Sequence, residues 1–161
     1  MKKKFTIKQL CITAICMALT CLATMLIQIP IPLGYAHLGD SVILITSFFF
    51  GPVVGCLAGG IGSMMADILT GFPIWAIPTL IIKSIMPLIF IKFQKYCGSV
   101  LSLLFMVAGY TIFGCIIAGN VAAGLASAPG LLLKAAVNFV VYLVLTKALT
   151  SAGLKRLLAS E

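Results

Sequence analysis

The chain is a succession of apolar runs, most of them about as long as a bilayer span, broken by short stretches of proline, glycine and polar residues. The first run predicts a helix over about Thr6 to Gln28. It ends before Ile29-Pro30-Ile31-Pro32, because proline at alternate positions cannot continue a helix and biases its predecessor toward extended geometry. Pro30 to Gly39 then reads as a loop, and Asp40 or Ser41 as the N-cap of a short second helix, Val42 to Phe50, that stops at Gly51-Pro52. Such a helix rises only ~16 Å, about half the hydrocarbon thickness, so it is broken, tilted or sheltered inside a bundle.

A third helix is expected over Pro52 to Thr70. Its Gly51, Gly55 and Gly59 at four-residue spacing, with Gly60, Gly62 and Ser63, make a flat face that another helix can approach backbone to backbone. A loop at Gly71 to Pro78 separates it from a fourth helix, Thr79 to Phe93. A fifth helix over Ser99 to Gly119, a loop over Asn120 to Gly130 and a sixth helix over Leu131 to Ser151 complete the pattern.

Composition turns this pattern into a class. Of 161 residues, 62% are hydrophobic and 9% charged, and the mean hydropathy is +1.24, so a soluble core with a charged shell is excluded. The expected fold is all-α: a polytopic membrane protein, a six-helix transmembrane bundle, read as one integral-membrane domain over residues 1–161. The apolar run from about Leu10 to Ile29 behind the lysine-rich start is longer than the hydrophobic region of a signal peptide, and is taken as the first span.

A net charge of +8 raises the question of nucleic acid, but no basic patch with interleaved aromatics accompanies it, and no nucleic-acid partner is expected. The positive charges mark topology instead. With both termini cytoplasmic, that side collects Lys2, Lys3, Lys4, Lys8, Lys92, Lys95, Lys147, Lys155 and Arg156, and only Lys83 and Lys134 are left over. The three loops then lie outside. Cys11, Cys16, Cys21, Cys56, Cys97 and Cys115 form no C-x-x-C pair and read as small reduced core residues rather than metal ligands or disulfides.

Ionisable residues within spans are costly and by default mark a site. Asp67 near the outer end of the third helix and Lys83 about one turn into the fourth either line an outward-facing pocket or pair to stitch two helices. Lys134, placed in the first turn of the sixth helix, is expected to snorkel to the headgroups. His37 and Asp40 sit three residues apart after Tyr35; Asp40 reads first as a helix cap, and His37 as ligand contact or loop packing. Tyr35 and Trp75 at interfacial depth suit a membrane anchor, with ligand stacking as the alternative. Asn138 is a better pocket candidate than Asn120, because a lone amide facing lipid would be unsatisfied.

Together, Tyr35, His37, Asp40, Asp67, Trp75, Lys83 and Asn138 are the candidate substrate-binding residues, around a cavity suited to a small, flat, polar heterocycle. No arrangement of nucleophile, base and orienting group appears, so no catalytic residues, cofactor or metal site is assigned. Ala14 and Ala18 form a small-x-x-x-small step, either for packing within the chain or for docking another membrane protein.

Leu38-Gly39-Asp40, Phe50-Gly51-Pro52, the GGxGSxxAD run of Gly59 to Asp67, the PTLIIK run of Pro78 to Lys83 and the Ala14/Ala18 step, in this order and spacing, resemble the S components of energy-coupling factor (ECF) vitamin transporters. The similarity is greatest to those for hydroxymethylpyrimidine, pyridoxine and riboflavin. The resemblance implies a non-enzymatic six-helix subunit of a prokaryotic plasma membrane that binds a vitamin or precursor from outside. It also implies association with a transmembrane coupling protein and two cytoplasmic ATPases, with Ala14 and Ala18 as the docking surface. The segments around Tyr35 to Asp40 and Phe72 to Ile77 would form the lid. A pyridine or pyrimidine alcohol is the leading ligand, with riboflavin behind it.

Overall fold

The computed structural model describes residues 6–31, 34–93 and 95–154. Lys2, Lys3, Lys4, Lys155 and Arg156, which entered the topology argument, lie outside the described residues. The elements in order are α1 (Ile7–Leu26), β1 (Ile29–Ile31), β2 (Gly34–Ala36), α2 (Gly39–Phe50), α3 (Pro52–Leu69), a 3-10 turn (Pro73–Trp75), α4 (Ala76–Phe93), α5 (Lys95–Ala118) and α6 (Val121–Ser151). Five of the helical segments are long and apolar enough to cross a membrane, and α2 is the short exception. The protein is a multi-pass membrane bundle.

Each helix boundary has a local cause. Thr6 opens α1 with a reciprocal capping box to Gln9. Gly51 closes α2 and opens α3 with φ of +87°, a conformation that glycine adopts without steric cost, and Pro52 supplies the first residue of α3. The expected loop at Pro30 to Gly39 contains a two-stranded antiparallel hairpin in which Pro30 faces Tyr35 and Ile29 faces Ala36.

Two loop boundaries are corrected. Helix α4 begins at Ala76, so the loop expected through Pro78 shortens to a bend and the 3-10 turn; proline close to a helix start loses no hydrogen bond. The loop expected over Asn120 to Gly130 is the first third of a 31-residue helix. Asn120 is its cap, accepting the Ala122 amide at 2.9 Å, and Pro129 lies inside it. Gly124 serves close packing rather than a turn, since a Cβ there would lie 2.6 Å from the Cys115 amide nitrogen of α5.

Helix α2 packs against α1, α3, α4 and α6. At 12 residues it rises ~18 Å, and its Gly39, Asp40, Ser41, Ile43, Leu44, Thr46 and Ser47 are buried, so it is sheltered by its neighbours. The glycines of α3 are the contact that lets the helices close around it. A Cβ on Gly62 would stand 2.6 Å from the Met17 carbonyl oxygen of α1, and one on Gly59 2.8 Å from the Lys83 carbonyl oxygen of α4. The larger apolar core, built on Leu44, Ile82, Met86, Phe90, Met106 and Tyr142, reaches up to Ile31 of the hairpin.

Burial runs opposite to that of a soluble protein. Lys83, Asp40, Asn138, Thr20 and Thr24 are among the most completely buried side chains, while Ile15, Leu19, Leu22, Ile112, Ile116 and Val144 are exposed. Apolar side chains lose nothing by facing hydrocarbon, whereas each polar one needs a partner. Thr13, Thr20 and Thr24 line the inner face of α1 and return their hydroxyls to the carbonyls four residues back. Ala14 and Ala18 face outward, so packing within the chain is not their role.

Gly62→Val is expected to destabilise the detergent-solubilised protein by ~1–3 kcal/mol, since the clash is with backbone. The exposed change Ala18→Val is expected to leave the melting temperature within a degree or two. Equal melting of the two variants would show that α1 and α3 do not approach through Gly62.

Candidate functional site

The hairpin, the start of α2, the end of α3, the 3-10 turn, the first half of α4, the second half of α5 and the first half of α6 meet at one end of the bundle. Their polar side chains sort into a buried brace and, above it, a cavity.

Asp40 anchors the brace. Its carboxylate pairs through Oδ1 with Lys83 and through Oδ2 with Lys134 at 3.3 Å, with Asp40 and Lys83 0% exposed and Lys134 4%. Asp40 is therefore not the helix cap. The cap comes from α6: Asn138 Oδ1 accepts the Ser41 amide at 2.8 Å, while its Nδ2 donates to the His37 carbonyl at 2.8 Å and the Lys134 carbonyl at 2.9 Å. His37 Nδ1 accepts a second free amide of α2, that of Gly39, at 3.0 Å. With these donors satisfied by His37 and Asn138, the Asp40 side chain is left for the lysines.

The two lysines also lie against the Tyr110 ring, with their nitrogens 5.5 Å and 5.4 Å from its centre. Lys134 is mid-helix and buried, so it does not snorkel; the expectation followed from starting the helix ten residues too late. Lys83 and Asp67 do not pair with each other. Lys83 belongs to Asp40, and Asp67 Oδ1 accepts the Tyr35 hydroxyl at 2.7 Å, with Thr70 3.3 Å from the same hydroxyl.

His37 lies between β2 and α2, outside the spanning helices. Burial, together with the charges of Lys134 and Lys83, holds its pKa well below the ordinary value of 6.5. The ring is neutral and carries one hydrogen. With Nδ1 accepting, that hydrogen belongs on Nε2, which lies 2.9 Å from Lys134 Nζ. This is the one contact of the brace that gains nothing while Lys134 is charged.

The cavity above is lined by Ile31, Tyr35, His37, Asp67, Trp75, Thr79, Tyr110, Ser127, Leu131 and Lys134. Its void, mouth included, is about 440 Å³, of which about 40 Å³ is deep enough to hold the centres of water molecules. That is room for a few waters. Trp75 leans on Tyr110, centroids 5.6 Å apart, and Tyr35 contacts Phe72 at 5.2 Å, so aromatic faces stand on two sides. Thr79 and Tyr110 share a hydrogen bond of 2.8 Å. Asp67 Oδ2 is buried without a hydrogen bond of good geometry, although the Thr79 hydroxyl is nearby.

Of the residues singled out from sequence, Tyr35, His37, Asp67 and Trp75 line this cavity, whereas Asp40, Lys83 and Asn138 lie in the brace and are taken up by protein partners. Thr79, Tyr110, Ser127 and Leu131 had not been singled out. For Tyr110 a signal existed: a phenol within an apolar span needs a partner for its hydroxyl.

Residues 4–151 match the family model of the ECF-type riboflavin transporter, S component. The chain belongs to this family. An uncharacterized protein in the gap 3′ region of Pyrococcus woesei is 43% identical over 97 residues, which is 54% of this chain and 65% of that protein. UPF0397 proteins of Streptococcus pneumoniae strains Hungary19A-6 and CGSP14 are 38% identical over 76 residues, 47% of this chain and 42% of theirs. The matched stretch thus spans less than two thirds of each of these relatives. An S component is a substrate-binding transporter subunit rather than an enzyme, so membership of the family fits a bundle with an aromatic and polar cavity at one end.

Because the folded ring of His37 resists protonation while the unfolded one does not, stability contributed by the neutral ring is present above pH 6.5 and is lost as the pH falls below it. The expected slope from this residue is up to ~1.4 kcal/mol per pH unit. Thermal melts of wild type and His37→Gln at pH 7.5 and 5.5 measure it: wild type should lose more stability on acidification than the variant. An equal loss in both would remove His37 from the brace.

Proposed function

We propose that this S component binds a flat nitrogen heterocycle of the vitamin or vitamin-precursor class in the cavity beneath the hairpin, and releases it inward when docked on an ATP-driven coupling module. The observation that carries the reading is the make-up of the cavity. Aromatic faces from Trp75, Tyr110 and Tyr35 flank a few convergent polar groups on Asp67, Thr79, Ser127 and Lys134, the combination that recognises a planar polar ring.

The hairpin and the 3-10 turn act as the lid. The cavity has room for only a few waters as it stands, so a vitamin enters as the lid moves aside, and Tyr35 with Trp75 closes over it. The small space favours a pyridine or pyrimidine alcohol, of the pyridoxine or hydroxymethylpyrimidine kind. Riboflavin is the second reading, on the strength of the family's own description.

The cavity opens to the outside. Lys8, Lys92 and Lys147 sit at the helix ends opposite to it, which the positive-inside rule assigns to the cytoplasm, along with both termini. The exposed Ala14 and Ala18 on α1 offer a shallow surface for a helix of the coupling protein, whose two ATPases supply the work.

Thermal melts of the purified protein with riboflavin, pyridoxine and 4-amino-5-hydroxymethyl-2-methylpyrimidine provide the test. A ligand at 100 times its Kd stabilises by ~2.7 kcal/mol, so one of the three should raise the melting temperature by several degrees. Ala14→Trp with Ala18→Trp should keep that shift and abolish uptake in cells. Melting unmoved by all three compounds would contradict the reading, and normal uptake by the double tryptophan variant would remove the docking surface.

A further inference from the structure

Asp67 brings to the cavity a feature that the brace and lid leave unused. It is 6% exposed and lines the cavity. Its Oδ1 is taken by the Tyr35 hydroxyl of the hairpin at 2.7 Å, and its Oδ2 is buried without a hydrogen bond of good geometry. A carboxylate oxygen buried in this way costs free energy until a donor reaches it. The Thr79 hydroxyl also lies near it and is shared with Tyr110 at 2.8 Å, where either group can donate. Lys134 lies near enough to act on the Asp67 charge but is paired with Asp40.

We propose that Asp67 is the residue that selects the ligand: Oδ2 accepts a ring N–H, amino or hydroxyl hydrogen from a flat heterocycle, while Oδ1 keeps the hairpin shut through Tyr35. This rests on the vitamin-binding reading and sharpens it to a chemical class. The ligand presents a hydrogen-bond donor to α3 and carries no negative charge on that edge. A carboxylate-bearing vitamin is rejected, because its charge would face Asp67 across a dry site. One side chain thus joins ligand and lid, and a ligand without the donor excludes water from the carboxylate oxygen while putting no hydrogen bond in its place.

The test is a binding cycle on the whole chain in detergent, read by isothermal titration. The probes are riboflavin, pyridoxine and 4-amino-5-hydroxymethyl-2-methylpyrimidine, and, for each probe that binds, analogues with its hydrogen-bearing groups methylated one at a time. In wild type, one such methylation is expected to weaken binding about 10- to 100-fold. In Asp67→Asn the parent compound should lose a similar factor, and that methylation should then change little. Asp67→Ser provides the same comparison if the asparagine variant does not fold. Parent binding unchanged in the variants, or a methylation penalty as large in them as in wild type, would overturn the role of Asp67. If no probe binds wild type, the vitamin-binding reading itself fails, and this inference fails with it.

Discussion

Everything at the hairpin end of this bundle depends on one carboxylate buried between two ammonium groups. Asp40 sits in the first turn of α2, fully buried, with Lys83 from α4 on one oxygen and Lys134 from α6 on the other. Taking three charges out of water costs several kcal/mol per ion, and their attraction recovers it only when geometry and hydrogen bonding are good. That requirement fixes how three helices stand to one another. It also explains the short second helix, whose start has to lie at the depth of the two lysines rather than at the membrane surface.

The brace makes the site above it possible. Asn138 and His37 satisfy the Ser41 and Gly39 amides of α2, Tyr110 lies against both ammonium groups, and together they form the floor of the cavity. The roof, made of the hairpin and the 3-10 turn, is joined to the bundle by the Tyr35–Asp67 hydrogen bond and the Trp75–Tyr110 ring contact. A charge-paired floor under a roof built from separate, short elements is suited to a protein that must admit a ligand and close over it.

Much of the bundle was legible in the sequence because hydrophobic length and proline–glycine punctuation are local signals. The break at Gly51-Pro52, the shelter of α2 and the packing face of α3 all followed from them. The start of α6 did not, because Gly124, Pro129 and Gly130 carry the marks of a loop while close packing against α5 and the Asn120 cap make a helix there. That one boundary misplaced Lys134 from mid-helix to the surface. Asp40 was misread for a related reason: an acidic residue beside a helix start is a cap by local rules, and only the three-dimensional structure shows Asn138 arriving from 97 residues away to take the role. Half of the candidate site was visible as intramembrane charge and aromatics; the pairing among those groups is tertiary and leaves no local trace.

The most direct test of the brace is a double-mutant cycle between Asp40 and Lys83, read as the stability of the detergent-solubilised protein. Asp40→Asn alone leaves two buried ammonium groups facing each other and should cost about 3–5 kcal/mol. Adding Lys83→Met removes one of them and should restore a large part of the loss, with a coupling energy of about 2 kcal/mol or more. Additive effects of the two changes, within ~0.5 kcal/mol, would mean that Asp40 and Lys83 do not act as a pair and that the bundle is organised by something else.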